Sequence, residues 1–224
     1  TDMISNVGGS FATAVIDAAQ FRQNAITGLE YMLGSKEEAV SIFKQAQDLA
    51  KKTPLDTHKV LEGVQQLATA GFSGQESMEL FKVVADQAAK FSLDTGMQGK
   101  VIEAFSRIKG RGVAMGEDLG SLRLAGFNEE KITQALLEDS NLAPLFKKVK
   151  IPGLAGGKTK FVDQSKADQL SILKQVKEIL GEGRVGVYDL LNATVKSVEK
   201  ESGKGVGEFA AKMGGESLTG TISN

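Results

Sequence analysis

Two glycine-rich segments have spacings that could bind phosphate groups. The segment Gly153-Leu-Ala-Gly-Gly157-Lys158-Thr159 resembles a phosphate-binding loop, but that motif has a glycine six positions before its lysine, where this chain has Pro152. The segment Gly181-Glu-Gly183-Arg-Val-Gly186 matches the glycine spacing of dinucleotide-binding loops, which connect a strand to a helix. Here a predicted helix precedes Gly181. We therefore interpret the first segment as a basic loop and the second as a turn between helices, and we expect no cofactor.

Side chains that could act as general acids, bases or metal ligands are few. The chain has no cysteine, and His58 is its only histidine, which excludes thiolate sites and a histidine metal cluster. Paired acids occur where we predict the first turns of helices, and negative charge there complements the helix dipole. These pairs are Glu37 with Glu38, Glu117 with Asp118, and Glu129 with Glu130. We therefore predict that the protein is not an enzyme. One alternative is a helical peptidoglycan-cleaving domain, which would need a buried glutamate in a cleft.

A group of lysines between residues 140 and 163 could contact phosphate or a partner, because no acid occurs there before Asp163. These residues are Lys147, Lys148, Lys150, Lys158 and Lys160. Lysines without interleaved aromatic residues more often form a solvated loop. The net charge of -1 also argues against a dedicated nucleic-acid binder. A helical adaptor that binds nucleic acid through this loop is the second alternative.

Helices must position all of these groups. Apolar residues recur at spacings of three, four and seven in the first part of the chain, which predicts one apolar helix face. These are Phe11, Val15, Ala18, Ala25, Leu29 and Met32. Ser35 and Ser73 each precede a glutamate by three residues, the spacing of a capping box that starts a helix. Thr53-Pro54 ends one helix and can start the next, because proline is tolerated in a first turn. Gly71, Gly110, Gly112 and Gly126 are the predicted turn residues.

These signals together predict an all-α fold, a bundle of about nine short to medium helices with a Gly/Lys-rich loop or small hairpin near residues 148–162. We divide the chain into a helical region (1–147), a flexible linker or hairpin (148–163), a helical hairpin (164–200) and a glycine-rich mobile tail (201–224). No apolar run approaches the ~18 residues of a membrane span. Because the chain begins Thr1-Asp2-Met3, without a signal-peptide pattern, we expect a fragment of a longer protein.

Residues Phe21 to Leu137 resemble the conserved helical region of phage tail tape measure proteins. The resemblance depends on the order and spacing of several short motifs, and it covers about half of the chain. One departure is Leu55, where many members of the family have phenylalanine after Thr-Pro. The motifs are Leu29-Glu30 with Gly34-Ser35, Leu49-Ala50 with Thr53-Pro54, Leu67 with Gly71-Phe72, Ile108 with Gly110-Arg111-Gly112-Val113, and Glu117-Asp118-Leu119 with Leu122 and Gly126.

The resemblance implies a structural component of a phage or prophage tail. Tape measure proteins extend through the tube of a siphovirus- or myovirus-like tail, set its length during assembly and leave ahead of the DNA. The implied partners are other copies of the chain, the tail tube protein, tail assembly chaperones, tail tip proteins and passing DNA. The implied locations are the virion tail and, during assembly, the host cytoplasm. Because helix caps are frequent, we expect an organising or tip-proximal module rather than the ruler itself.

Overall fold

The computed structural model describes residues 2–91, 95–150, 161–203 and 205–207. In these ranges the chain forms ten α-helices, a short 3-10 helix at Phe161–Asp163 and no β-strand, so the predicted all-α class is confirmed. One isolated β-bridge joins Val113 to Gly186. The helices are α1 (Asp2–Leu33), α2 (Lys36–Lys52), α3 (Thr57–Thr69), α4 (Gly74–Lys90), α5 (Thr95–Arg111), α6 (Gly116–Leu124), α7 (Glu129–Glu138), α8 (Ala143–Phe146), α9 (Lys166–Gly181) and α10 (Val187–Ser202).

At the start of most of these helices, a polar side chain accepts a hydrogen bond from a backbone N–H group that would otherwise have no partner. The Ser35 hydroxyl accepts the N–H of Glu38 at 3.2 Å. Ser73 and Glu76 form a reciprocal capping box at the start of α4. The prediction that Pro54 lies in the first turn of α3 is wrong. Pro54 lies between α2 and α3, and the Asp56 carboxylate caps α3 by accepting the N–H of Lys59 at 2.8 Å.

Two helices end in the same left-handed turn followed by a buried phenylalanine. After α3, Gly71 has a φ of 96°, and the N–H of Phe72 donates to the carbonyl of Leu67 at 3.3 Å. After α6, Gly126 has a φ of 88°, and the N–H of Phe127 donates to the carbonyl of Leu122 at 3.0 Å. This is the Schellman arrangement, in which a glycine adopts the conformation that L-residues avoid.

The turn after α5 uses one glycine rather than the two that we predicted. Gly112 has a φ of 77°, and its N–H donates to the carbonyl of Lys109 at 3.2 Å. Gly110 lies inside α5, which continues to Arg111. A single left-handed residue is enough to end a helix, so Gly110 has no role in the reversal of the chain.

One continuous apolar core contains residues from both predicted parts of the chain, for example Phe81 and Phe105 from the first part and Val176 and Leu190 from the second. The prediction of a helical hairpin in residues 164–200 is wrong, because α9 and α10 have no extensive contact with each other. Helix α9 packs mainly against α6 and also contacts α7, whereas α10 packs mainly against α7 and also contacts α4 and α5. The two helices therefore pack mainly against different helices of the preceding bundle.

The segment predicted as a linker or hairpin is partly anchored to the bundle. The N–H of Lys150 donates to the Gln175 side chain at 2.9 Å, and Phe161 is buried in a 3-10 helix. Residues 161–163 are therefore not the strand that a hairpin would need. The intervening part of the prediction, residues 151–160, lies outside the described residues.

The start of the predicted tail is also part of the folded structure. Helix α10 continues to Ser202 and ends at Gly203, which has a φ of 71°. Gly207 is buried, and its N–H donates to the fully buried carboxylate of Asp86 at 2.6 Å. Residues 208–224 lie outside the described residues.

Candidate interaction site

The cleft between α4 and α10 combines an apolar floor with a polar rim, and its volume is about 350 Å³. The first turns of the two helices bring its residues together. Phe72 follows the turn at Gly71 and lines the cleft. Ser73 is the N-cap of α4, which places Glu76 in its first turn. Gly186 is the N-cap of α10, two residues before Tyr188. The floor comprises Phe72, Leu80, Leu191 and Val195, and the rim comprises Gln75, Glu76, Glu79, Tyr188 and Asn192.

A lysine contacts two aromatic residues that line this cleft. Lys109, in the last turn of α5, has its Nζ 4.9 Å from the centre of the Phe72 ring and 4.4 Å from that of Tyr188. The ammonium group also donates a hydrogen bond to the Tyr188 hydroxyl. An ammonium group over an aromatic face is attracted by the negative electrostatic potential above the neutral ring. These contacts link α5, α10 and the turn before α4.

Within the cleft, the carboxyl group of Glu76 has a pKa that is clearly lowered from its ordinary value. Partial burial raises the pKa of its carboxyl, but hydrogen bonds from the Ser73 backbone, Tyr188 and the Ser73 hydroxyl, with the charge of Lys109, outweigh it. The net result is a pKa below the ordinary value of 4.5. The carboxylate is therefore held in its charged form, as expected for a positioning group rather than a proton donor.

Sequence reasoning missed this cleft. Lys109 and Tyr188 are 79 positions apart and belong to no common motif. Each residue taken alone has the type and spacing of an ordinary surface residue on an amphipathic helix. No signal in the sequence pairs them.

The predicted phosphate-contacting lysines are only partly described. Lys147, Lys148 and Lys150 are exposed at and after the end of α8, and no ion pair of theirs is found among the described residues. Lys158 and Lys160 lie outside the described residues. The described lysines are compatible with contact to phosphate, but no buried polar group converges with them to form a binding pocket.

The glycine motif at 181–186 is the connection between α9 and α10, as we interpreted it. Gly181 is the last residue of α9, Gly183 has a φ of 67°, and Gly186 precedes α10. The carbonyl of Val185 accepts the N–H of Ala114 at 2.9 Å, which ties the turn to the loop before α6. A helix rather than a strand precedes these glycines, so the context of a dinucleotide site is missing.

Buried carboxylates in the described part of the chain are already bound by cations or backbone N–H groups. Asp118 accepts from Arg111 at 3.0 Å and from the N–H of Met115 at 2.8 Å. Glu129 pairs with Lys177 at 2.7 Å. His58 is exposed and stacks on Phe21 at 5.9 Å between ring centres. These groups stabilise helix starts and helix contacts.

Across the described ranges, no three acids or histidines lie close enough together to hold a metal ion. Among the helices of the same ranges, none combines the length and the apolar character that a bilayer crossing requires. No family model, no curated protein and no solved structure matches the chain.

Proposed function

We propose that this chain is a structural part of a phage or prophage tail, a segment similar to tape measure proteins that acts in tail assembly, length determination and genome delivery. It works through protein contacts and catalyses no reaction. Its partners are other copies of the chain, the tail tube protein, assembly chaperones and tip proteins. It acts in the virion tail and, during assembly, in the host cytoplasm.

The observation that carries the proposal is the position of the motifs on which the resemblance depends. Gly34-Ser35 separates α1 from α2, Thr53-Pro54 separates α2 from α3, and Gly71-Phe72 separates α3 from α4. Gly112 follows α5 and Gly126 follows α6. The motifs therefore occupy successive helix junctions, where residue type determines the direction of the chain.

The dimensions of the molecule favour an organising module over the ruler. A single helix of all 224 residues would be ~330 Å long at ~1.5 Å per residue. The longest helix, α1, has 32 residues and a length of ~48 Å at the same rise. The remaining helices are at most 17 residues long in the described part of the chain and pack around one core.

The test uses the phage or prophage that encodes this sequence. Codons 21–137 are deleted in frame, and tails are examined by electron microscopy and mass spectrometry. We expect absent tails or tubes of unregulated length, and peptides of this chain in purified wild-type tails. The matched control is Lys51→Ala, which removes only a surface ion pair with Asp48 and leaves tails normal. Normal tails from the deletion strain, without peptides of this chain in the wild type, would contradict the proposal.

A nucleic-acid adaptor is the second candidate, because Lys147, Lys148 and Lys150 are exposed. Phosphate contacts make DNA binding depend strongly on salt. The test compares DNA retention of wild type with that of a variant carrying Lys→Ala changes at 147, 148, 150, 158 and 160. The control removes the same charge elsewhere on the surface, at Lys36, Lys44, Lys52, Lys59 and Lys100. Salt-dependent retention that only the first variant loses would favour this candidate.

A further inference from the structure

Helix α10 runs parallel to α4. Near the start of α10, the Tyr188 hydroxyl donates a hydrogen bond to Glu76 in the first turn of α4. Near the end of α10, Glu201 forms an ion pair with Lys90 in the last turn of α4. The two helices therefore advance in the same direction, and the end of α10 lies level with the end of α4.

The chain reverses its direction after α10. Gly203, the C-cap of α10, has a φ of 71°, and residues 205–207, which we call the strap, lie back against the bundle. A Cβ added to Gly207 would lie 3.5 Å from the Cβ of Lys82 in α4 and 3.8 Å from the Leu49 side chain in α2. Helix α4 ends eight residues after Lys82, which corresponds to ~12 Å at ~1.5 Å per residue. The strap therefore returns toward the start of α4 and lies between α2 and α4.

A buried carboxylate holds the strap in this position. The Asp86 side chain, in α4, is fully buried and accepts the N–H of Gly207 at 2.6 Å. A buried charge is unfavourable unless hydrogen-bond donors compensate for the water that it has lost. A hydrogen bond to a charged acceptor is also about twice as strong as one between neutral groups. The strap therefore supplies a donor that this carboxylate needs, and the carboxylate in turn fixes the strap.

The closed position of the strap depends on one of its two glycines. Gly207 has a φ of 86°, a conformation that L-residues resist. Gly205 is exposed, has no left-handed conformation, and has open space around the position of an added Cβ. Between them, Val206 is partly buried against the apolar core. An alanine should therefore be tolerated at position 205 and resisted at position 207.

We propose that Asp86 and Gly207 form a latch that holds the strap closed and thereby sets where the following chain, residues 208–224, leaves the bundle. With the latch closed, the chain leaves beside Leu49 and Lys82. With the latch open, it leaves from the end of α10. The closed form is favoured because opening removes a donor from a buried charge. This conformational device goes beyond the proposed function and does not rest on it.

The first test is hydrogen exchange in the full 224-residue chain, measured for single residues by nuclear magnetic resonance. The amide at position 207 is expected to be protected in wild type. Gly207→Ala is expected to lower its protection factor about tenfold, because an L-residue resists the left-handed conformation. The matched control, Gly205→Ala, makes the same chemical change two residues earlier and is expected to leave this protection factor unchanged. Amides in the middle of α10 should keep their protection in both variants, which distinguishes opening of the strap from unfolding of the helix.

The carboxylate side of the latch is tested with Asp86→Asn, which keeps the shape of the side chain and removes its charge. It is expected to lower the protection factor at position 207 about tenfold, because a neutral acceptor binds the N–H more weakly. An unprotected amide in wild type, or equal protection in Gly205→Ala and Gly207→Ala, would overturn the proposal. Unchanged protection in a folded Asp86→Asn variant would overturn it as well. If Asp86→Asn does not fold, the comparison of the two glycine variants decides.

The position of the strap is tested separately by a distance measurement. Because the chain has no cysteine, Lys52→Cys with Gly205→Cys attaches two spin labels at exposed positions. Electron paramagnetic resonance is expected to give one narrow distribution of distances, which Gly207→Ala broadens. A broad distribution in the chain that keeps Gly207 would show that the strap is not held closed, and the latch would be refuted.

Discussion

At the scale of single residues, backbone conformation decides which side chains can end a helix. Gly71 has a φ of 96°, and a Cβ added there would meet only the Lys109 side chain at 3.9 Å. The requirement for glycine is therefore conformational rather than steric. Gly99 offers the opposite case, because it is exposed inside α5 with open space around it.

These two glycines predict opposite effects of the same substitution. Gly71→Ala should lower the free energy of unfolding by about 1–2 kcal/mol, because an L-residue resists the left-handed conformation. Gly99→Ala should raise it by about 0.5–1 kcal/mol, because alanine loses less backbone entropy in a helix. Urea unfolding followed by circular dichroism measures both. If both substitutions changed the free energy of unfolding by similar amounts, the turn after α3 would not need glycine.

Glu76 predicts a dependence of stability on pH. Because its pKa is lower in the folded chain than its ordinary value of 4.5, its carboxylate contributes stability above that value and loses the contribution as the pH falls through the folded pKa. We expect the stability difference between wild type and Glu76→Gln to shrink between about pH 7 and about pH 3. Urea midpoints over this range provide the measurement.

The control for this prediction is Tyr188→Phe, which removes one hydrogen bond to Glu76 and keeps the carboxylate. In the Tyr188→Phe background, Glu76→Gln should change the stability by a smaller amount, and this change should depend less on pH. The stability difference between wild type and Glu76→Gln could instead stay constant across the pH range. That result would mean that the cleft does not hold this carboxylate in its charged form.

At the scale of elements, helices α3 and α4 approach each other closely at Gly63. A Cβ added at Gly63 would lie 2.1 Å from the ring of Phe81, which is fully buried. This distance is much shorter than a van der Waals contact. The two helices can therefore approach this closely only because residue 63 has no side chain. The sequence pattern did not single out Gly63, since a glycine inside a helix usually only weakens it.

Gly63→Ala is expected to destabilise the fold by about 1–3 kcal/mol, because the Phe81 ring must move within a packed core. Gly120→Ala in α6 is the control, with nothing within 4 Å of the added atom. Combined with Phe81→Leu, the Gly63→Ala change should cost less than it does alone, because the smaller side chain leaves room. Additive effects in this double-mutant cycle would contradict the close approach.

At the scale of the whole molecule, the later helices complete the core of the earlier ones. Helix α9 covers α6, and α10 covers α7 and parts of α4 and α5. Leu119 and Ile132, in α6 and α7, are fully buried in the core that these helices share. The boundary that we placed between residues 147 and 164 is therefore not a boundary between independent cores.

This arrangement predicts one cooperative unfolding unit. The full chain should unfold in a single transition that is the same by circular dichroism and by tyrosine fluorescence, since it has no tryptophan. A chain that ends at Lys150 should lack a cooperative transition, because the apolar faces of α6 and α7 would be exposed to water. A sharp transition in this truncated chain would show that residues 1–150 fold alone.

The sequence by itself determined the class of the fold and the positions at which several helices start and stop. Ser35, Ser73, Gly71 and Gly112 could be identified because caps and left-handed turns join residues only a few positions apart, so their chemistry is local. Pro54 was misplaced for the same local reason, since Asp56 competes with it as the start of α3.

Only the tertiary structure decided which helices are neighbours and which surfaces are left open. The separation of α9 from α10, the contact of Lys109 with Tyr188, and the exposure of residues 15–20 in α1 each depend on residues far apart in the chain. Periodicity identifies an apolar face but not its occupant, because burial of apolar surface is non-directional. Which face meets which is decided by close packing of the whole core.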